Sequence, residues 1–222
     1  MACILPSAVQ ERVAPQRPTK RERTRLLLLD ATLQVLAEDG EGFSLARIPA
    51  LAGVAHGTLY NYFPDRDALM KALVPYSVEK FAERSELEVH TDDEAERFAF
   101  ISARALRAAA DSPNVVRVAL RLDSVRRALA IEGPLSYLGQ NIKDGHQNGR
   151  FANPLDEGTY DVILGALLLA ARRVIEGESN EEHRTSVIAR LLMSLGTASA
   201  EARAIAHRAV VDAAESSPLS PP

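Results

Sequence analysis

Tryptophan is absent from this chain and cysteine nearly so, with Cys3 the single thiol among 222 residues. One thiol closes no internal disulfide, so packing must hold the fold, and a reducing, cytoplasmic setting is expected. Long apolar runs are missing too. The most apolar stretch, VILGALLLAA (162–171), is about half of the roughly 20 residues a membrane-spanning helix needs. The N-terminus has no basic region leading into the apolar segment of a secretory signal. A soluble chain without a membrane partner is the expectation. Strand-type alternation of β-branched and aromatic residues does not occur either, which leaves helices.

Chemistry-bearing clusters are also lacking. The histidines at 56, 90, 146, 183 and 207 are scattered, none at metal-site spacing, and the lone cysteine joins no Cys/His group. No phosphate-binding loop, dinucleotide fingerprint or Gly-x-Ser-x-Gly elbow is present. Neither an enzyme nor a metal or cofactor is expected.

What is present is an ordinary globular balance, 46% apolar and 25% charged residues, in a length that suits one good core plus a smaller module. Charge is uneven. Residues 1–75 carry nine Lys/Arg against eight Asp/Glu, and residues 76–222 carry seventeen against twenty-two. Locally, RPTKRERTR (17–25) holds five cations and one glutamate.

Residues 1–18, with three prolines, read as a loose arm. A first helix is predicted from Thr19 or Thr24 to Glu38, with Leu26, Leu29, Leu33 and Leu36 on one face, widened by Leu28 and Val35, and stopped by Gly40. Later starts are marked by Asp65, by Thr91 with Glu94, by Ser112 before Pro113, and by Ser179 with Glu182. Breaks fall at Gly133–Pro134 and at 144–154, and Gly177 closes the helix that begins near Asp156. A last pair is expected at about 181–195 and 199–214, before a proline-rich tail at 216–222. Nine or ten helices make the chain all-α. The expected division is an arm (1–18), a headpiece (19–66), a body (67–215) and the tail.

Residues 44–63 have helix-turn-helix spacing. Ser44 can cap the first short helix, Ile48 and Leu51 point inward, Gly53 supplies a positive φ, and Leu59 and Phe63 fasten the second helix. His56, Gly57, Thr58, Asn61 and Tyr62 are left on the outer face, with Tyr60 at its edge. Polar groups at a helix start suit base edges and phosphates in a major groove. An ordinary corner between two helices is the bland alternative, and the arginine-rich arm upstream favours DNA.

The run LLDATLQVLAEDG…FSLARIPALAGVAHGTLYNYFPDRDALMKAL closely resembles the DNA-binding headpiece of the TetR family of transcriptional regulators, over about residues 20–75. The resemblance implies an N-terminal three-helix headpiece joined by a long helix to an all-helical domain that binds a small molecule and dimerises. It implies a homodimer on a near-palindromic operator in double-stranded DNA, with Ser44, His56, Gly57, Thr58, Tyr60, Asn61 and Tyr62 facing DNA. Arg66 takes the place of a phosphate-contacting lysine, and Lys20, Arg21 and Arg23 form the arm. Three positions depart from the family pattern. Ala55 and His56 stand where Ser-Lys is usual, Ala46 where an arginine is common (Arg47 is the neighbouring candidate), and Pro49 where an alanine is usual. With Ser44 as cap, Pro49 would forfeit a bond to the Leu45 carbonyl, so the first turn is predicted to be irregular or to begin near Ala46–Arg47.

In the body, residues 159–175 are apolar almost all round, and such a helix is buried on more than one side. Val162, Gly165, Ala166, Leu169 and Ala170, with Ile188, Leu191, Leu192 and Leu195, are the expected dimer contacts. The alternative is a central helix of a monomer. Phe98, Phe100, Ile101, Val118, Leu122, Tyr137 and Phe151 are cavity-lining candidates or simple core, and Arg117 and Arg121 are anion contacts or a solvated face. The main functional expectation is a ligand-released repressor. The second is a helical dimer that binds a ligand or protein and has lost specific DNA binding, towards which Ala46, Pro49, Ala55 and His56 lean.

Overall fold

The computed structural model describes residues 19–121 and 135–216, which hold ten α-helices. Thr19 starts α1 (Lys20–Asp39) with a reciprocal capping box: its hydroxyl accepts from the Glu22 amide at 3.2 Å, and its own amide donates to Glu22 Oε2 at 2.7 Å. Gly40, at φ 72°, ends the helix and opens a short 3-10 turn, Gly40–Gly42. Next come α2 (Arg47–Leu51), α3 (Thr58–Tyr62) and the long α4 (Arg66–Glu88). Leu28, Leu29, Leu33, Val35 and Leu36 of α1 meet Ile48, Leu59, Phe63, Leu69 and Leu73 in one buried cluster. Burying each such side chain is worth about 1.5–3 kcal/mol, so this cluster is what holds two five-residue helices in place.

The body comprises α5 (Glu94–Asp111), α6 (Pro113–Arg121), α7 (Leu135–Gln147), α8 (Glu157–Ile175), α9 (Glu181–Ser194) and α10 (Ser199–Glu215). Helix α5 is its axis and packs against α7, α8, α9 and α10. Ala202, Ala206, Ala209 and Ala213 give α10 a small-residue face that lies close on α5. The loop after α7 ties three other helix ends together. Arg150 binds Asp93 at the start of α5 (2.9 Å) and Glu201 at the start of α10 (2.8 Å), while Asn153 donates to the Ser194 carbonyl of α9. Headpiece and body share packing as well. Leu164 of α8 is buried in the headpiece cluster, with Tyr160, Leu168 and Val115 of α6 against it.

Two caps differ from expectation. Asp93, not Thr91, caps α5 by accepting from the Ala95 and Glu96 amides, and Thr91 instead donates to the Glu96 carboxylate. Asn180, not Ser179, caps α9 through the His183 amide. In both places a second polar residue stood closer to the helix, and the nearer oxygen reached the free amides first. The helix starting at Pro113 and the stop at Gly177 (φ 74°) are as predicted. The expected arm at 1–18, the Gly133–Pro134 break and the tail beyond Ser216 lie outside the described residues.

Candidate nucleic-acid interface

Helix α2 begins at Arg47, where the proline predicts. Pro49 is then its third residue, one of the positions whose N–H has no helical partner in any case. The Leu45 carbonyl that it cannot bond accepts instead from Ile48 (3.3 Å), and Ser44 Oγ accepts from the Ala46 amide (3.3 Å). The turn passes through Gly53 at φ 67°. Val54 donates to the Pro49 carbonyl (3.0 Å), and Thr58 to that of Ala55 (2.8 Å). Leu59 and Phe63 are buried as expected, whereas Leu51 is 45% exposed. A five-residue helix offers only one inward stripe, which Ile48 and Pro49 fill.

Ala55, His56, Gly57, Tyr60 and Asn61 are exposed on α3 and the turn before it, and Thr58 and Tyr62 are partly buried. The His56 and Tyr60 rings lie 6.1 Å apart. The basic start of α1 reaches the same surface. The Arg21 guanidinium stands 6.0 Å from the centre of the Tyr62 ring, and that of Arg25 stands 5.7 Å from Phe63. Lys20 and Arg23 are exposed beside them in sequence. Arg25 was not among the predicted contacts, although it continues the basic run of 17–25. One surface thus carries an aromatic and polar helix tip with an arginine of α1 laid against it.

Two expected cations are otherwise engaged. Arg47 pairs with Glu38 (2.8 Å) and with Asp39, an arrangement that holds the Glu38 carboxyl below its ordinary range and the guanidinium above its own. Both carboxylates sit at the C-terminal, electronegative end of α1, which has no cation in its last turn, so Arg47 supplies the missing charge. Arg66 lies 4.1 Å from the Phe43 ring centre and donates to the Phe43 carbonyl (2.9 Å). In this arrangement both side chains brace the headpiece.

In the body, Phe98, Ile101 and Phe151 are buried in the main cluster. Arg117 is half-buried and donates to Asn114 Oδ1. The Val118, Arg121 and Tyr137 side chains, and Leu122 altogether, lie outside the described residues. Phe100 does face a space, a cleft of about 570 Å³ between the α4–α5 connection and α10, floored by Val89, Ile205 and Ala209 and rimmed by His90, Glu96, Arg208 and Asp212. A more polar hollow of about 250 Å³ lies between α5 and α7.

The predicted dimer residues divide. Val162 (57% exposed), Gly165 and Leu169 (61% exposed) lie open on α8, with Ala166 beside them. Ala170, Ile188, Leu191, Leu192 and Leu195 are a correction, since all are buried in the core of a single protomer. Helix α9 turns its apolar face onto its own subunit and presents Ser186, Arg190 and Met193 outward.

A helix-turn-helix tip with a basic helix start beside it, mounted on an all-helical body, defines a DNA-binding transcriptional regulator. Residues 28–73, the headpiece, match the family described as "Bacterial regulatory proteins, tetR family". It is 28% identical over 147 residues to the fatty acid metabolism regulator protein of Bacillus subtilis, an alignment spanning 62% of this chain and 76% of that protein. It is 47% identical over 53 residues to the HTH-type transcriptional repressor LfrR of Mycolicibacterium smegmatis, covering 24% of this chain and 28% of LfrR. Among solved structures, the resorcinol complex of RolR superposes with a TM-score of 0.68 at 26% identity, over 85% of this chain and 95% of RolR. Among the described residues no helix is long and apolar enough to cross a membrane, and no group of side chains could hold a metal ion.

Proposed function

We propose that the protein is a homodimeric repressor that a small molecule releases from a near-palindromic operator. The observation carrying this reading is the pairing of two surfaces, the polar α3 tip with Arg21 on Tyr62, and the open apolar stripe Val162–Gly165–Leu169 on α8. Residues three and seven apart lie on one helix face, and an apolar face of this kind pairs with its own copy about a two-fold axis. Two-fold pairing sets two tips against two half-sites, about 34–36 Å apart when they lie one turn of DNA from each other. A relative solved with resorcinol supports a small-molecule effector, and the cleft of about 570 Å³ beside α10 is of ligand size. Release requires a ligand whose affinity differs between the two spacings of the tips.

Thr58→Ala and Tyr62→Ala test the tip. Each is expected to weaken operator binding at least tenfold while leaving the particle mass unchanged, read by fluorescence anisotropy and light scattering. Loss of the dimer instead would make these residues structural. Binding must also weaken as salt rises, because phosphate neutralisation releases counterions. A second reading, a dimeric ligand- or protein-binding module without specific DNA recognition, draws on the internal engagement of Arg47 and Arg66. It predicts no sequence preference at any salt concentration.

A further inference from the structure

The end of α1 is where the headpiece meets the body by hydrogen bonds as well as by packing. Three of its features come together. The Gly40 amide returns to the Leu36 carbonyl, which leaves the Ala37 carbonyl among the terminal acceptors that a helix cannot satisfy internally. That carbonyl accepts from Asn114 Nδ2 of α6 at 3.1 Å. The Asn114 amide lies flat against Gly40, 3.6 Å from where a Cβ would stand. Its other end, Oδ1, accepts from Arg117 Nη1 one helical turn further on, at 3.0 Å. The orientation of the amide follows from chemistry: a backbone carbonyl only accepts and a guanidinium only donates, so one arrangement satisfies both. The adjacent residues Glu38 and Asp39 hold Arg47, the first residue of α2.

We propose that Asn114, set by Arg117, is a latch that positions the DNA-binding headpiece on the body, and that it gives α6 a route to α2 separate from the long α4. On this account Arg117 and Asn114 are positioning residues. Arg117 orients the amide, the amide fixes the Ala37–Gly40 turn, and the turn carries the two carboxylates that place Arg47. A shift of α6 is therefore felt at the start of α2 even where α4 stays still. The latch rests on the DNA-binding reading for its purpose but not for its existence.

Hydrogen exchange on the full-length protein tests it. In Asn114→Ala and Arg117→Ala, the Gly40 and Phe43 amides, which close the turn, are expected to exchange about fivefold faster, the effect of losing one net hydrogen bond. The Leu29 and Leu33 amides inside α1 should keep their rates. Arg117→Lys, which can still donate to Asn114 Oδ1, should restore the slow exchange. Unchanged turn amides in Asn114→Ala would overturn the proposal. So would acceleration spread evenly along α1, or a lysine variant behaving like the alanine one. Affinity for a selected DNA duplex should fall by a similar factor in the two alanine variants and recover in the lysine one. If the exchange pattern appears and no duplex binds, the latch stands and the DNA reading is what fails.

Discussion

Gly196 has no room for a side chain. Its φ of 99° is one that residues with a Cβ rarely adopt, and an added Cβ would stand 2.6 Å from that of Ala152 and 3.0 Å from the Ala152 amide nitrogen. Gly196→Ala is expected to cost about 2–3 kcal/mol in urea unfolding, from strain and overpacking together. A change below about 0.5 kcal/mol would mean that the 148–154 loop does not pack there in solution. Gly53, by contrast, could be read from the sequence, because its positive φ answers a local demand of the turn. Gly196 could not, since the atoms that crowd it belong to a loop distant in the chain. The cations follow the same division. The family resemblance put Arg47 and Arg66 among the expected DNA contacts, but only the folded chain shows Glu38, Asp39 and Phe43 within their reach.

At the scale of elements, α5 depends on its cap. Asp93 accepts from two amides and pairs with Arg150. Partial burial pushes its carboxyl up, but the amides of Glu96 and Ala95 and the Arg150 guanidinium outweigh that and hold it below the ordinary range. A carboxyl depressed in the folded state stabilises fully above its unfolded value, about 3.9, and loses that contribution as pH falls through the lower folded value. Asp93→Ala should therefore cost about 1 kcal/mol near neutral pH, and the gap from the parent should close as the pH is lowered from about 5 to below 3. A gap that holds constant over that range would assign the loss to packing. Helix lengths, stops and the late start of α2 were legible because caps, glycines and prolines act on their immediate neighbours. The face of α9 was not. Its apolar positions announce burial, and nothing in their spacing says whether the covering surface is α5 and α10 of the same subunit or a second copy.

For the whole molecule, the open stripe on α8 is the proposed two-fold contact. Leu169→Arg places a charge at the expected two-fold contact on a side chain that a single protomer leaves 61% exposed. It should halve the particle mass in sedimentation while preserving helical content, because nothing in the protomer core is disturbed. An unchanged mass would remove α8 from the interface. The family resemblance was visible in one contiguous quarter of the chain, about residues 20–75, where the turn chemistry is local, and the all-helical layout in caps and breaks along its length. The cavity and the dimer contacts depend on helices far apart in sequence meeting in space.

Two α3 tips reading DNA together are the centre of the proposed function, and selection of bound duplexes from a random pool by the purified full-length protein tests that most directly. The predicted result is an enriched two-fold-symmetric sequence with half-sites about 10 base pairs apart or a multiple of that spacing. Recovery of no preferred sequence at low salt, from a protein shown to be dimeric and folded, would contradict it.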